Sequence, residues 1–310
     1  MRTAGSGGSF RGVFAIPPTP FTDRGDLDEG GLRRVLRFCV DAGVHGIVTP
    51  VNASEFAFLT DDERRRVIEI AAAEAGVVPV VAGVAGSCTQ HAVLFAGHAR
   101  AAGVAAVIAM PPYVRTATRS EIREYYEAIA DAARIPVFIQ NHLPPQGTPM
   151  SPEFVAELVR EIPLVSYVKE ECWPPGQHMS AELELAGPSL LGVMGGIAGR
   201  YLIEEYRRGA CGTMPASEIP DVHVQLWERL EAGDEEGARR IFEAMLPLLN
   251  LEAMHGVVLY KHVLHRRGLI ESSRVRQPGL SPLDQQDREE IDTVLENLRP
   301  LFRIGVAEPR

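Results

Sequence analysis

Short β-rich runs alternate with segments of helical periodicity eight times along this 310-residue chain, and few architectures accommodate such a rhythm. The runs are Gly12–Ile16, Gly46–Val51, Val78–Gly83, Ala105–Met110, Val137–Gln140, Ser166–Lys169, Leu190–Met194 and Gly209–Met214. Most are apolar at successive positions, as strands are when they pack between a barrel interior and a layer of helices. Helical segments lie between them, at Leu32–Asp41, Asp61–Ala75, Ser87–Ala102, Arg119–Ala133 and Pro152–Glu161. Thr60-Asp61-Asp62-Glu63 offers a capping box, and Ser87 and Thr89 read as helix N-cap residues. The α/β pattern predicts a (β/α)8 TIM barrel, for which about 250 residues is usual. From Asp221 onward the periodicity is helical only, through Val222–Ala232, Glu235–Leu249, Met254–Arg267 and Asp287–Leu301, with Gly and Pro between the segments. The expected organisation is a flexible tail over 1–9, a barrel core over 10–220, and the last barrel helix with a C-terminal helical extension over 221–310.

Composition narrows the partners. A formal charge of −10 disfavours nonspecific binding to nucleic acid or to an anionic membrane, which leaves small molecules as the expected partners. The longest apolar stretches, Val77–Val84 and Val104–Met110, fall far short of the roughly 18 residues that would span a bilayer. No apolar core follows the N-terminal residues as in a signal peptide, so the cytoplasm is the expected compartment. The four cysteines, Cys39, Cys88, Cys172 and Cys211, form no CxxC pair and read as reduced thiols.

Basic charge is carried almost wholly by arginine, since the chain has only two lysines, Lys169 and Lys261. Arginine cannot lose its proton, whereas a lysine amine can attack a ketone and form an imine. Lys169 ends the sixth β-rich run, and in a TIM barrel the chemistry sits where strand C-termini meet the following loops. Residues two apart on a strand share a face, so Glu171 is expected in the barrel mouth beside Lys169, with Glu170 toward the helices and Cys172 away from the mouth. Other polar groups at strand ends are Thr19, Asn52 to Glu55, Ser87, Tyr113, Gln140 to His142, Gly195-Gly196 and Ser217-Glu218. Lys261 lies in an apolar helical segment and reads as structural or solvated. His262 and His265 lie on one helix face, but a metal site would need a third ligand and none is placed nearby, so no metal is assigned. Glu55 reads as a hydrogen-bonding partner within its own loop.

The strand-end lysine, Pro18-Thr19-Pro20-Phe21 after the first strand, Asp26-Leu27-Asp28 opening the first helix, and Leu59 with Asp62-Glu63-Arg64 in the second share a pattern. Together they resemble the dihydrodipicolinate synthase and N-acetylneuraminate lyase family of class I, Schiff-base-forming lyases, from about Phe10 to Phe302. The resemblance implies an imine on Lys169 with no cofactor, a 2-keto acid as substrate, and a homotetramer. It implies a carboxylate-binding loop at Asn52, Ala53 and Ser54. Tyr113, His142, Gly195 and Gly196, at strand ends, are the further candidates for substrate contact, with His142 either a member of the proton relay or a loop histidine without a function. Tyr113 would be an active-site hydroxyl, one that reaches across a subunit interface, or simply a packed loop residue. Two departures stand out. Gln140-Asn141 replaces the family's usual Tyr-Asn, whose tyrosine relays protons, and Leu143-Pro144-Pro145-Gln146-Gly147 lacks the arginine of the synthase branch.

Lys169-Glu170-Glu171, Asn52-Ala53-Ser54-Glu55 and Gln140 instead resemble the 2-keto-3-deoxyarabonate dehydratases, although Val84 to Cys88 lacks the Ser-His pair of that branch. The activity this implies is dehydration of a 2-keto-3-deoxy sugar acid to a semialdehyde. Lys169 would be the nucleophile, Glu171 the acid–base group, and Gln140 an orienting amide. A pyruvate-dependent aldolase and a non-catalytic 2-keto-acid-binding barrel are the competing readings.

Overall fold

A computed structural model describes residues 10–143 and 148–304. The N-terminal tail, the stretch from Pro144 to Gly147 and residues 305–310 lie outside them. Eight parallel strands run in chain order: β1 (Gly12–Ala15), β2 (Gly46–Thr49), β3 (Val80–Gly83), β4 (Ala106–Ala109), β5 (Val137–Asn141), β6 (Val165–Glu170), β7 (Gly192–Gly195) and β8 (Gly212–Thr213). β8 pairs back onto β1, with Gly12 opposite Gly212, and closes the barrel. The surrounding helices are α1 (Glu29–Asp41), α2 (Asp61–Glu74), α3 (Thr89–Ala101), α4 (Arg119–Ala133), α5 (Pro152–Glu161), α6 (Pro175–Ala186), α7 (Leu202–Arg207) and α8 (Pro220–Glu231). Three more helices follow: α9 (Glu235–His255), α10 (Val257–Arg266) and α11 (Gln285–Leu298). The predicted TIM barrel with its C-terminal helical extension is the observed fold.

Boundaries differ where backbone contact overrides local preference. The run predicted over Gly209–Met214 narrows to the two residues of β8. There Gly212 lies flush on Gly12, and a Cβ would overlap the Gly12 carbonyl. The Thr60 capping box forms with Glu63 as expected. Ser87 and Thr89 do not cap α3: the N-cap position is Cys88, which has no side-chain capping bond. Thr89 is already the first helical residue and Ser87 precedes the cap, so neither hydroxyl stands where an N-cap side chain reaches the free amides.

Alternation along the strands separates two cores. Phe14, Val81, Ile108, Phe138, Tyr167 and Met194 point into the barrel, while Ile139, Val168 and Val193 point outward to the helices. Phe10 plugs the interior, with its ring centroid 5.4 Å from Phe138 and 5.1 Å from Tyr167, which stack on one another at 4.6 Å. β5 and β6 pair in register with Phe138 opposite Tyr167 and Gln140 opposite Lys169. The aromatic pair is thus the apolar floor, and the amide and amine form the next layer up.

The extension turns back over the mouth at Gly256, between α9 and α10, with φ 52° and ψ −129°, a conformation open essentially to glycine alone. α10 is anchored by Lys261. This fully buried amine pairs with Glu55, donates 2.8 Å to the Arg274 carbonyl, and sits 4.1 Å from the Phe21 ring centroid. The other Glu55 oxygen accepts from the backbone N–H groups of Arg276 (2.7 Å) and Gln277 (2.8 Å). Glu55 therefore binds the extension to the loop after β2 rather than serving its own loop. Burial pushes the Lys261 pKa down to about 8, opposed by Glu55.

Replacing Lys261 by Met leaves a buried carboxylate without its countercharge. The expected loss of unfolding free energy is about 3–5 kcal/mol, measured by chemical denaturation, with partial recovery when Glu55→Gln is added. A stability unchanged by Lys261→Met would contradict the anchoring role.

Candidate active site

Lys169 and Glu171 stand two residues apart at the end of β6 and face the same way, with the amine 3.2 Å from the Glu171 carboxylate. Lys169 is 4% and Glu171 7% exposed, so the pair is nearly withdrawn from water yet open to one side. Gln140, one strand over, donates 2.7 Å from its amide to the second carboxylate oxygen. The Ile197 backbone N–H adds a longer bond of 3.4 Å, and His142 Nε2 lies 4.0 Å away. Burial alone would raise the Glu171 pKa, but Lys169, His142 and the Gln140 amide outweigh it and hold the carboxyl below its usual range. The carboxylate is therefore ionised and oriented before any ligand arrives.

The glycines at the end of β7 owe their place to this arrangement. A Cβ on Gly196 would overlap the Glu171 carboxylate, and one on Gly195 would overlap Glu205. Beyond them, Ile197 (φ 51°) and Ala198 (φ 58°) adopt left-handed conformations, an unfavourable one for β-branched isoleucine. That strain, of order 1–3 kcal/mol per residue, aims the Ile197 N–H at Glu171 and turns both residues into the cavity wall.

The cavity above Lys169 has a volume of about 310 Å³, at the small end of ligand sites. Asn52 and Ala53 from the loop after β2, His142 after β5, and Lys169 and Glu171 line one part of it. Gly256, Val257, Tyr260, Gln277 and Leu280 from the extension line another. Ser54 stands behind this wall: its N–H bonds the Val51 carbonyl at 2.9 Å and its hydroxyl lies 3.3 Å from that of Thr49. Tyr113 packs edge-on to Phe56 at 5.4 Å in a smaller hollow of about 40 Å³ that also touches Asn52 and Gln277. His262 is half-buried on α10, with its Nε2 unbonded among the described residues, and His265 is exposed.

Glu170 faces the helix layer, accepting from Asn141 (2.7 Å) and from the Cys172 N–H (2.5 Å). Behind it, burial and the neighbouring Glu170 raise Glu182 far above the carboxylate range. Cys172, buried beside them, points away from the cavity, as its alternation predicts. Nothing in the local sequence signals the contributions of Ile197, Ala198, Tyr260, Gln277 and Leu280. Gly256, a glycine between two helical segments, is the one mark of the point where the extension folds back.

The geometry has counterparts among known proteins. A model of the dihydrodipicolinate synthetase family matches residues 9–298. The chain belongs to the dihydrodipicolinate synthetase family. Members of this family are Schiff-base-forming lyases that take 2-keto acids, and this chain is one of them. An L-2-keto-3-deoxyarabonate dehydratase of Azospirillum brasilense is 33% identical, covering 96% of this chain and 98% of its own. A 4-hydroxy-tetrahydrodipicolinate synthase of Methylobacterium radiotolerans is 30% identical over 94% and 96% of the two chains. The crystal structure of a dihydrodipicolinate synthase from Rhodopseudomonas palustris superposes with a TM-score of 0.85 at 29% identity, covering 93% of this chain and 97% of that one.

Glu205, behind Gly195, has no hydrogen-bond partner among the described residues, and burial followed by the nearby glutamates raises its pKa from 4.5 to about 8. Its neutral form is the one that suits the fold. The stability this group allows is full below the unfolded-state pKa and is lost as the pH rises from there through about 8. Glu205→Gln should therefore stabilise the protein increasingly as the pH is raised from 5 to about 8, read from thermal melting at each pH. A pH-independent difference would contradict the burial of an ionisable Glu205.

Proposed function

We propose that this lyase dehydrates a 2-keto-3-deoxy sugar acid similar to 2-keto-3-deoxy-L-arabonate, yielding a semialdehyde. The observation that carries the reading is a lysine amine 3.2 Å from a carboxylate that a glutamine amide holds from the far side. The Lys169 amine attacks the C2 ketone, water leaves, and the iminium acidifies the protons at C3. Glu171, already ionised, removes a C3 proton. The same carboxyl then returns that proton to the departing C4 hydroxyl, so C3–H and C4–O break, C3=C4 forms, and one water is lost. The 3-ene then isomerises, with one proton leaving C5 and one its hydroxyl while C3 and C4 are each protonated, so that C5 becomes the aldehyde, and hydrolysis of the imine frees Lys169. Gln140 orients Glu171 without titrating.

The substrate carboxylate is assigned to Asn52 and Ala53, at the cavity wall, with Ser54 bracing their loop. Similarity to the Azospirillum dehydratase supports this choice over carbon–carbon chemistry. Glutamine in place of a β5 tyrosine supports it too, because elimination needs one acid–base group beside the imine, which Glu171 supplies. The similarity to synthases at nearly the same identity keeps a pyruvate-dependent aldolase as the second reading. Pyruvate among the products from the sugar acid would favour the aldolase; a semialdehyde favours the dehydratase.

Glu171→Gln should still trap a 2-keto acid on Lys169 under borohydride, while steady-state turnover of the sugar acid falls about 10²–10⁴-fold. Wild-type turnover in that variant would remove Glu171 from the chemistry.

A further inference from the structure

Loss of the C4 hydroxyl asks for a group to hold the departing oxygen, and among the described residues the barrel strands bring no hydroxyl to the cavity. Tyr260 is the only hydroxyl-bearing side chain among the described residues that line it. It comes from α10, one turn after Val257 and Gly256, which line the same space. The adjacent Lys261 fixes the rotation of that helix through its buried pair with Glu55. Among the described residues the phenol has no hydrogen-bond partner, so its O–H is left for a ligand or water.

The other polar groups of the cavity are already committed or lie elsewhere. Gln277 borders the smaller hollow with Asn52 and Tyr113, at the end assigned to the substrate carboxylate. His142 Nδ1 is 2.7 Å from the Leu143 carbonyl, to which it donates, and its Nε2 lies 4.0 Å from the Glu171 carboxylate. Tyr260, by contrast, faces the same cavity as Lys169 and Glu171. Burial first, then Glu252, Glu218 and Glu171, push the phenol further from ionisation, against the opposing charge of Arg200. It is a donor that keeps its proton.

We infer that Tyr260 is a catalytic residue of the water-loss step, donating a hydrogen bond to the C4 oxygen as its bond to carbon breaks. The inference rests on the dehydratase reading. The proton that completes the water is the one Glu171 took from C3, so the phenol ends the step as it began, and no further acid is consumed. Its contribution is stabilisation of charge developing on the leaving oxygen, for which a single well-placed donor is worth about 10²–10³-fold in rate.

Pyruvate separates this role from a structural one, because it forms the imine and has C3 protons but lacks a C4 hydroxyl. In D2O, Tyr260→Phe should exchange the methyl protons of pyruvate within about threefold of the wild-type rate, followed by NMR, while dehydration of 2-keto-3-deoxy-L-arabonate slows about 10²-fold. Dehydration at the wild-type rate overturns the inference, as does an equal loss of exchange and dehydration, which would make Tyr260 a support for the whole site. Should that variant lose both because it fails to fold, as seen by its melting curve, Tyr260→Gln supplies the decision: it restores a donor, and recovery of exchange without any recovery of dehydration relative to Tyr260→Leu overturns the assignment. A wild-type protein that exchanges pyruvate but releases no water from the sugar acid overturns the dehydratase reading itself and this inference with it.

Discussion

Everything at this site depends on a lysine amine and a glutamate carboxylate kept side by side almost out of water. Withdrawing either charge alone would be costly, and breaking such a pair by removing one member typically costs about 3–5 kcal/mol. The barrel makes the pairing unavoidable: residues 169 and 171 share a face of β6, and register with β5 sets Gln140 opposite the lysine. The amide then occupies the carboxylate oxygen that the amine does not face. A carboxylate satisfied on two sides and open on a third is ready to accept a proton from carbon without reorganisation.

A second buried pair does for architecture what the first does for chemistry. Lys261 and Glu55 join α10 to the loop after β2, and the two N–H groups of Arg276 and Gln277 close on the same carboxylate. One interaction thereby fixes the position of Asn52 and Ala53 on one wall and of Tyr260 and Gln277 on another. The extension is part of the cavity rather than an appendage to the barrel. Around this lie carboxyls whose pKa the fold raises, Glu182, Glu205 and Glu252, each chiefly by burial. Glu171, by contrast, is held below its usual range beside Lys169.

The eight-fold alternation and the inward face of β6 are legible in sequence because strand periodicity is local and two residues long. Lys169 and Glu171 follow from that period, and Gln140 from its place at the end of the preceding run. The roles of Glu55 and Lys261 are not legible, since they are 206 positions apart and meet only when the chain turns at Gly256. An apolar helical pattern around residue 260 reads equally well as a helix packed anywhere, so the phenol facing the cavity leaves no local trace. Ser54 and Tyr113 show the opposite difficulty: motif resemblance carries a residue's position in the chain but not the direction of its side chain.

The most direct test of the central claim is intact-protein mass spectrometry after borohydride reduction in the presence of 2-keto-3-deoxy-L-arabonate, with peptide mapping of the adduct. The account requires a reduced adduct on Lys169 whose mass reflects loss of one water from the sugar chain. An adduct on another residue, or none with either the sugar acid or pyruvate, would contradict it.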